Sequence, residues 1–350
     1  MRLNSYYKEC VQSYLKNTNL DFLQGKQVLI TGVTGMIGSA LADALCLAER
    51  NIRVIGTGRS KERASNRFNY SWFKKENFHF IEHDVVKPFV FDEKIDFIIH
   101  AASPAYPAVY AKYPVETMTA NFLGTLNLLE LAKEKQARFL FVSSGEIYGE
   151  INKDIKGEQD YGFIDSMQPR SCYPNSKRAA ETLCSAYADE YGVETVVTRL
   201  SHVYGPTMTE GDNRVSSDFI RKAKLGKDLI LHSTGTTVRS YTYVLDAVSG
   251  ILCVLEKGKS GEVYNIADEN KVVSIRELAE ITAQAGNVSF TIDVPEIADK
   301  GATTITRQVM SGEKWRGLGG GCKYDFASGV ALTLESMEAE PSKKDTNLID

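Results

Sequence analysis

The segment Thr31-Gly32-Val33-Thr34-Gly35-Met36-Ile37-Gly38 constrains this chain more than any other. It follows the apolar run Gln27-Val28-Leu29-Ile30 and opens a helical pattern over residues 36–49, with apolar positions at Ile37, Leu41, Leu45 and Ala48. A short apolar run flanked by glycine reads as a buried parallel strand. Gly32 permits the tight turn, Gly35 lets the backbone approach a pyrophosphate, and Gly38 lets helix and strand pack closely. The helix N-terminus then offers free N–H groups to phosphate oxygens. A glycine triplet alone is weak, and the strand–turn–helix setting is what makes it a dinucleotide site. Gly32, Gly35, Met36, Ile37 and Gly38 are its predicted phosphate contacts.

The pattern after this turn repeats strand and helix. Arg53-Val54-Ile55, Phe78–Ile81, Ile95–Ile99, Phe139–Ser143 and Thr195–Thr198 read as strands, and Pro114–Glu134 and Asn175–Tyr191 as long helices. Such alternation predicts an α/β fold, a Rossmann-like doubly wound parallel sheet with ligands at the strands' carboxyl ends. Beyond residue 200 the alternation loosens. Short strands (Leu229–Leu231, Val263–Asn265, Phe290–Ile292) mix with helices (Val215–Leu225, Tyr243–Glu256, Ser274–Ala285), and Ser274 with Glu277 forms a capping-box pattern. The expected organisation is an N-terminal helical extension (1–24), a dinucleotide-binding domain (25–200), a smaller α/β substrate lobe interleaved with the sheet (201–337) and a disordered polar tail (338–350).

Composition excludes several partners. With 41 Lys and Arg against 45 Asp and Glu, the formal charge is −4 and no basic block stands out, which argues against nucleic acid as the main ligand. No apolar run approaches the ~20 residues that span a bilayer, and the first residues lack the apolar core of a signal peptide. Six scattered cysteines without a CxxC pair read as reduced thiols of a cytoplasmic protein. The five histidines show no metal-ligand spacing, so no metal is expected.

Tyr173-Pro174-Asn175-Ser176-Lys177 carries the chemistry. Tyr173 and Lys177, four apart, share one helix face. A neighbouring ammonium lowers a phenol's pKa, making Tyr173 a candidate base near neutral pH. Ser144, at the end of the preceding strand, would hydrogen-bond the same substrate oxygen.

These segments together resemble the extended short-chain dehydrogenase/reductases of the NAD-dependent epimerase/dehydratase family. The resemblance rests on TGxxGxxG, on Ser143-Ser144-Gly145-Glu146-Ile147-Tyr148-Gly149, on Arg199–Pro206 and on Arg239–Val244. Within the family, UDP-glucuronate decarboxylases are the most similar, over about residues 26–285. The resemblance implies that Asp84 and Val85 bracket adenine, that Ala101, Ala102 and Ser103 lie beneath its ribose, and that Asn121 stabilises the fold near the cofactor. It implies roles for Tyr173 and Lys177 at the nicotinamide ribose, Glu146 as a catalytic carboxylate, and Ser144, Glu146, Arg214, Arg239 and Arg307 at the nucleotide sugar. The cofactor implied is NAD. NADP stays open, because the second strand ends in Gly58-Arg59-Ser60 without a carboxylate, and Arg59 would either meet a 2′-phosphate or stay solvated.

The implied chemistry is transient oxidation of a UDP-linked sugar at C4, followed by decarboxylation if C6 is a carboxylate. A 4-epimerase is the alternative. A 4,6-dehydratase ranks lower, because Gly145 stands where that group carries an aspartic acid. A cofactor-binding protein without turnover would not need Ser144, Tyr173 and Lys177 together. A homodimer is implied too, built as a four-helix bundle from the two long helices, with Leu126, Leu129, Leu183 and Tyr187 either in the seam or buried within the monomer.

Overall fold

The computed structural model describes residues 2–294 and 307–338. Seven strands form the central sheet: β1 (Gln27–Thr31), β2 (Arg53–Gly58), β3 (Phe78–Glu82), β4 (Phe97–His100), β5 (Arg138–Ser144), β6 (Thr195–Leu200) and β7 (Glu262–Ile266). Their spatial order is β3-β2-β1-β4-β5-β6-β7, parallel throughout. The order reverses between β1 and β4, which opens a crevice at their carboxyl ends.

Four helices cover the two faces: α1 (Met36–Leu47), α2 (Pro114–Lys135), α3 (Cys172–Tyr191) and α4 (Val244–Lys257). The continuous apolar run of β1 is explained by this double cover. Val28 and Ile30 join the cluster built with α1 and α4, whereas Leu29 joins the one built with α2 and α3.

The N-terminal extension is helical only over Ser5–Leu15, with a single 3-10 turn at Asp21–Leu23. Two buried tyrosines bind it to the body, Tyr7 donating to Asp43 of α1 (2.8 Å) and Tyr14 to Asp246 of α4 (2.6 Å). The predicted capping box is present: Ser274 Oγ accepts from the Glu277 N–H, and Glu277 accepts from the Ser274 N–H.

A second sheet contains Ile155–Lys156, His202–Tyr204, Val238–Tyr243, Val272–Ser274 and Arg307–Met310. His202–Tyr204 begins directly beyond β6, so this sheet stands over the carboxyl ends of the central strands. β7, from beyond residue 200, returns to complete the central sheet. Glu338 pairs with Arg2 in a short antiparallel ladder, and the rest of the expected tail lies outside the described residues.

Candidate functional site

One continuous cleft of about 2200 Å³ runs along the carboxyl ends of the strands. Its floor is the glycine turn. Gly32 has φ +67°, and a β-carbon there would lie 2.6 Å from the Ala102 Cα. A β-carbon on Gly38 would lie 2.4 Å from the Gly32 carbonyl oxygen. Both glycines are therefore required by backbone packing. Gly35 differs: a β-carbon there would meet only the Gly32 oxygen, at 3.2 Å. Gly35 also caps α1 without a side chain, which leaves the first N–H groups of the helix free for an anion. These features fit a dinucleotide pyrophosphate.

Met36, Ile37, Arg59, Asp84, Val85, Ala101, Ala102 and Ser103 all line the same cleft. His100, fully buried beneath it, shares a 2.7 Å hydrogen bond with Thr31 Oγ1. Burial and nearby Lys177 push its pKa down to about 3, so the imidazole is neutral. Asn121 is set back from the cleft wall. Its amide donates to Ser176 Oγ at 2.9 Å, and that hydroxyl donates to the Tyr173 carbonyl at 3.0 Å. Asn121 thus fixes the first turn of α3.

Ser144 ends β5, and Tyr173 and Lys177 occupy the first turns of α3. The Ser144 hydroxyl lies beside the Tyr173 phenol and lowers its pKa, against the effect of burial. Lys177, 2% exposed, donates to the Val142 carbonyl at 2.8 Å and lies over the Phe141 ring. The three predicted residues are therefore brought together, with one difference from the expected electrostatics. Burial, followed by the Glu146 carboxylate, pushes the Tyr173 phenol up to about 12. Burial pulls Lys177 down to about 7. Sequence spacing showed the pair of side chains and not how little water either retains.

Glu146 stands in a cluster that sequence reasoning only partly named. Both terminal nitrogens of Arg170 donate to its Oε2 at 3.1 Å, and Tyr110 donates to its Oε1 at 3.3 Å. The Arg170 guanidinium lies 4.4 Å from the Tyr110 ring centroid, and Tyr110 stacks on Tyr173 with centroids 5.3 Å apart. Arg170, three residues before Tyr173, was within reach of local inspection, whereas nothing in the sequence ties distant Tyr110 to this site.

Arg214 and Arg239 line the same cleft. Arg214 is held by Asp212 at 2.6 Å and touches Met36 Sδ. Arg239 lies 3.4 Å from His202 Nε2, and its own Nε is buried without a partner among the described residues. Burial, Arg239 and Arg214 hold His202 well below the ordinary range, so its neutral ring can accept from Arg239. Arg307 does not line this cleft. It lies 3.7 Å from Asp154, while its neighbours Gln308 and Met310 line the cleft.

The description "NAD dependent epimerase/dehydratase family" matches residues 28–267. The chain belongs to that family. Its turn, its Ser144–Tyr173–Lys177 cluster and its sheet order are thereby placed in a family that uses NAD, and NAD is the cofactor of the cleft. Among the relatives, the chain is 36% identical over 270 residues to UDP-glucuronic acid decarboxylase 1 of Xenopus tropicalis, covering 76% of this chain and 62% of that protein. It is 37% identical to UDP-glucuronic acid decarboxylase 3 of Arabidopsis thaliana, covering 77% of each. The chain thus spans less than two thirds of the frog protein. Among solved structures, it resembles UDP-glucose 4-epimerase of Thermotoga maritima with UDP-glucose, with a TM-score of 0.76 and 25% identity, over 89% of this chain and 98% of that one. It also resembles the UDP-glucose 4-epimerase of Thermus thermophilus in complex with NAD, with a TM-score of 0.71, 25% identity and the same coverage.

Proposed function

We propose that this chain oxidises a nucleotide-linked sugar transiently at C4, and that its substrate is UDP-glucuronate, which it decarboxylates. The carrying observation is the continuous cleft whose lining joins the glycine turn, Ser144, Tyr173 and Lys177 with Arg214 and Arg239. The decarboxylase names of its relatives support the substrate. When bound, the oxidised nicotinamide would supply a hydride acceptor and a positive charge near Tyr173.

The protein's own groups do the rest. Tyr173 takes the C4 hydroxyl proton once its phenol has ionised, and a positive charge brought beside it lowers the pKa that burial has raised. Ser144 donates to the developing oxyanion. Lys177 commits one hydrogen to Val142 and keeps others for the ribose hydroxyls. Arg239, with its Nε unpartnered among the described residues, suits an anionic group of the substrate. A C6 carboxylate beside a C4 ketone is a β-keto acid, and losing carbon dioxide then needs mainly stabilisation of the enolate. Glu146, pinned by Arg170 and Tyr110, holds substrate or acts as the C5 base.

Dehydration is disfavoured by a contact. Gly145 supplies no acid, and a β-carbon there would lie 2.5 Å from Met310 Sδ, so an acid at that position would require the methionine side chain to move. The 4-epimerase reading keeps support from the resemblance to the enzyme solved with UDP-glucose. Incubating the purified protein with UDP-glucuronate and with UDP-glucose, followed by proton NMR of the anomeric signals, separates them. Release of carbon dioxide and a UDP-pentose is the expected result. A C4 epimer without carbon dioxide release would establish the epimerase instead.

The assembly reading is a homodimer through α2 and α3. Leu129 and Tyr187 are buried within the monomer, and Leu126 and Leu183 pack partly against the same core. The exposed apolar residues of α2 are Val115, Met118, Phe122 and Leu123, which replace them as the seam. A cytoplasmic setting is supported by six free cysteines. Among the described residues no helix is long and apolar enough to cross a membrane. The division into a dinucleotide domain and a substrate lobe is supported by the second sheet over the cleft, with β7 interleaving the two.

A further inference from the structure

We infer that the adenosine end of the cleft also takes the 2′-phosphorylated dinucleotide NADP, with the phosphate between Arg59, Ser60 and Arg63. This deepens the dinucleotide reading and rests on it. The end of β2 is where a dinucleotide fold normally places the group that reads the ribose 2′ position, a carboxylate for a hydroxyl and an arginine for a phosphate. Here β2 ends Thr57-Gly58, followed by Arg59 and Ser60, and all four line the cleft together with Arg63.

The charges are disposed for an anion. Arg59 and Arg63 are exposed, and neither guanidinium has an ion pair or hydrogen bond among the described residues. The next arginine along, Arg67, shows what pairing would look like, since its guanidinium is bound to Asp43. The nearest strand-end carboxylate is Glu82, paired in register with Gly58. It accepts from the Lys61 N–H and is not part of the cleft wall. Ser60 Oγ accepts from the Arg63 N–H at 3.2 Å, which leaves its own hydrogen to donate. Two forked cations and one hydroxyl donor in a chain of net charge −4 make a local positive pocket. Asp84 is the carboxylate on the same stretch of wall, two residues beyond Glu82. A carboxylate gripping the 2′-hydroxyl would reject the phosphate, and no such group stands at the end of β2.

Isothermal titration calorimetry of the full chain with NAD and with NADP tests this without any sugar substrate. NADP should bind at least as tightly as NAD. Arg59→Gln and Arg63→Gln should each weaken NADP by about tenfold, the scale of one charge-assisted contact, and shift NAD less than about threefold. Raising the salt concentration should weaken NADP more than NAD. The inference is overturned if NADP binds tenfold or more weakly than NAD, or if both variants weaken the two cofactors equally. If NAD binds normally in those cases, the dinucleotide reading stands and only the 2′-phosphate pocket falls. If neither cofactor binds, both fall together.

Discussion

Helix α3 carries two buried charged clusters one turn apart, and they are finished to different degrees. In the first, Arg199 is fully buried and every N–H of its guanidinium is used. Nε and one terminal nitrogen hold Glu181 of α3, at 2.7 Å for the shortest contact. The others meet the Tyr148 and Tyr161 hydroxyls and the Glu158 carbonyl. These partners push its pKa still higher than an arginine's ordinary value. In the second, Lys177 is equally buried but has one hydrogen-bond partner among the described residues, Val142, and its pKa is pulled down to about 7. The carboxylate nearest to it, Glu181, is committed to Arg199 and to Ser143. A buried cation that the chain satisfies completely holds the fold. One that the chain leaves short is held in place for a ligand.

The largest effect should come from breaking the finished cluster. Arg199→Met leaves Glu181 buried as an uncompensated charge, and losing one partner of such a pair costs about 3–5 kcal/mol. Urea denaturation should show that loss, while the fraction still folded keeps its cofactor affinity. Adding Glu181→Leu should return much of the stability, because an apolar pair of similar volume is often neutral. If Arg199→Met lowered cofactor binding and left stability alone, the contrast between the two clusters would be inverted.

The unfinished cluster should answer the other way. Tyr173→Phe keeps the ring stacked on Tyr110 and removes only the hydroxyl beside Ser144. Reduction of bound cofactor by the sugar, read as single-turnover absorbance, should slow by about a hundredfold or more. Melting temperature and sugar binding should stay close to wild type. A wild-type rate would remove Tyr173 from the mechanism and turn attention to Glu146, one contact away through Tyr110.

The same contrast explains what could be read from the sequence. The parallel sheet was legible because most of its strands are short apolar runs followed by a helical period; its last strand, Glu262–Ile266, was read as part of the lobe, because the alternation loosens beyond residue 200. The glycine turn and the Tyr173–Lys177 spacing are local, so their chemistry shows within eight residues. The cluster around Arg199 gathers Tyr148, Glu158, Tyr161 and Glu181 from separate segments, and no spacing announces it. Arg307 shows the limit of a resemblance. The resemblance puts it at the substrate, whereas the structure places its guanidinium 3.7 Å from Asp154 and only its neighbours Gln308 and Met310 in the cleft lining. The phenol was misjudged for a related reason: spacing reports proximity, whereas pKa reports hydration.

The smallest effect, and the most direct probe of the contrast, is the titration of Lys177 in cofactor-free protein. Its pKa falls from 10.5 to about 7 on folding, because burial disfavours the ammonium. Between about pH 7 and pH 10 the unfolded chain therefore holds a proton that the folded chain has released. Stability from this group rises with pH across that window. Other groups act there too, since burial raises the thiols of Cys46 and Cys184, and raised thiols lower stability as pH climbs past their ordinary value. Lys177 pulls the Cys184 thiol down, but burial holds it well above its ordinary value, so in both proteins the folded thiols stay protonated across this window and their contribution cancels in the difference. Methionine has no proton to release. Its melting temperature should exceed wild type most near pH 7, and the gap should narrow by roughly a few degrees towards pH 9. Arg199→Met should show no such slope, because its partner keeps the arginine charged throughout. A gap for Lys177→Met that stayed constant with pH would mean that the lysine is already fully charged at rest, and the two clusters would then differ in geometry alone.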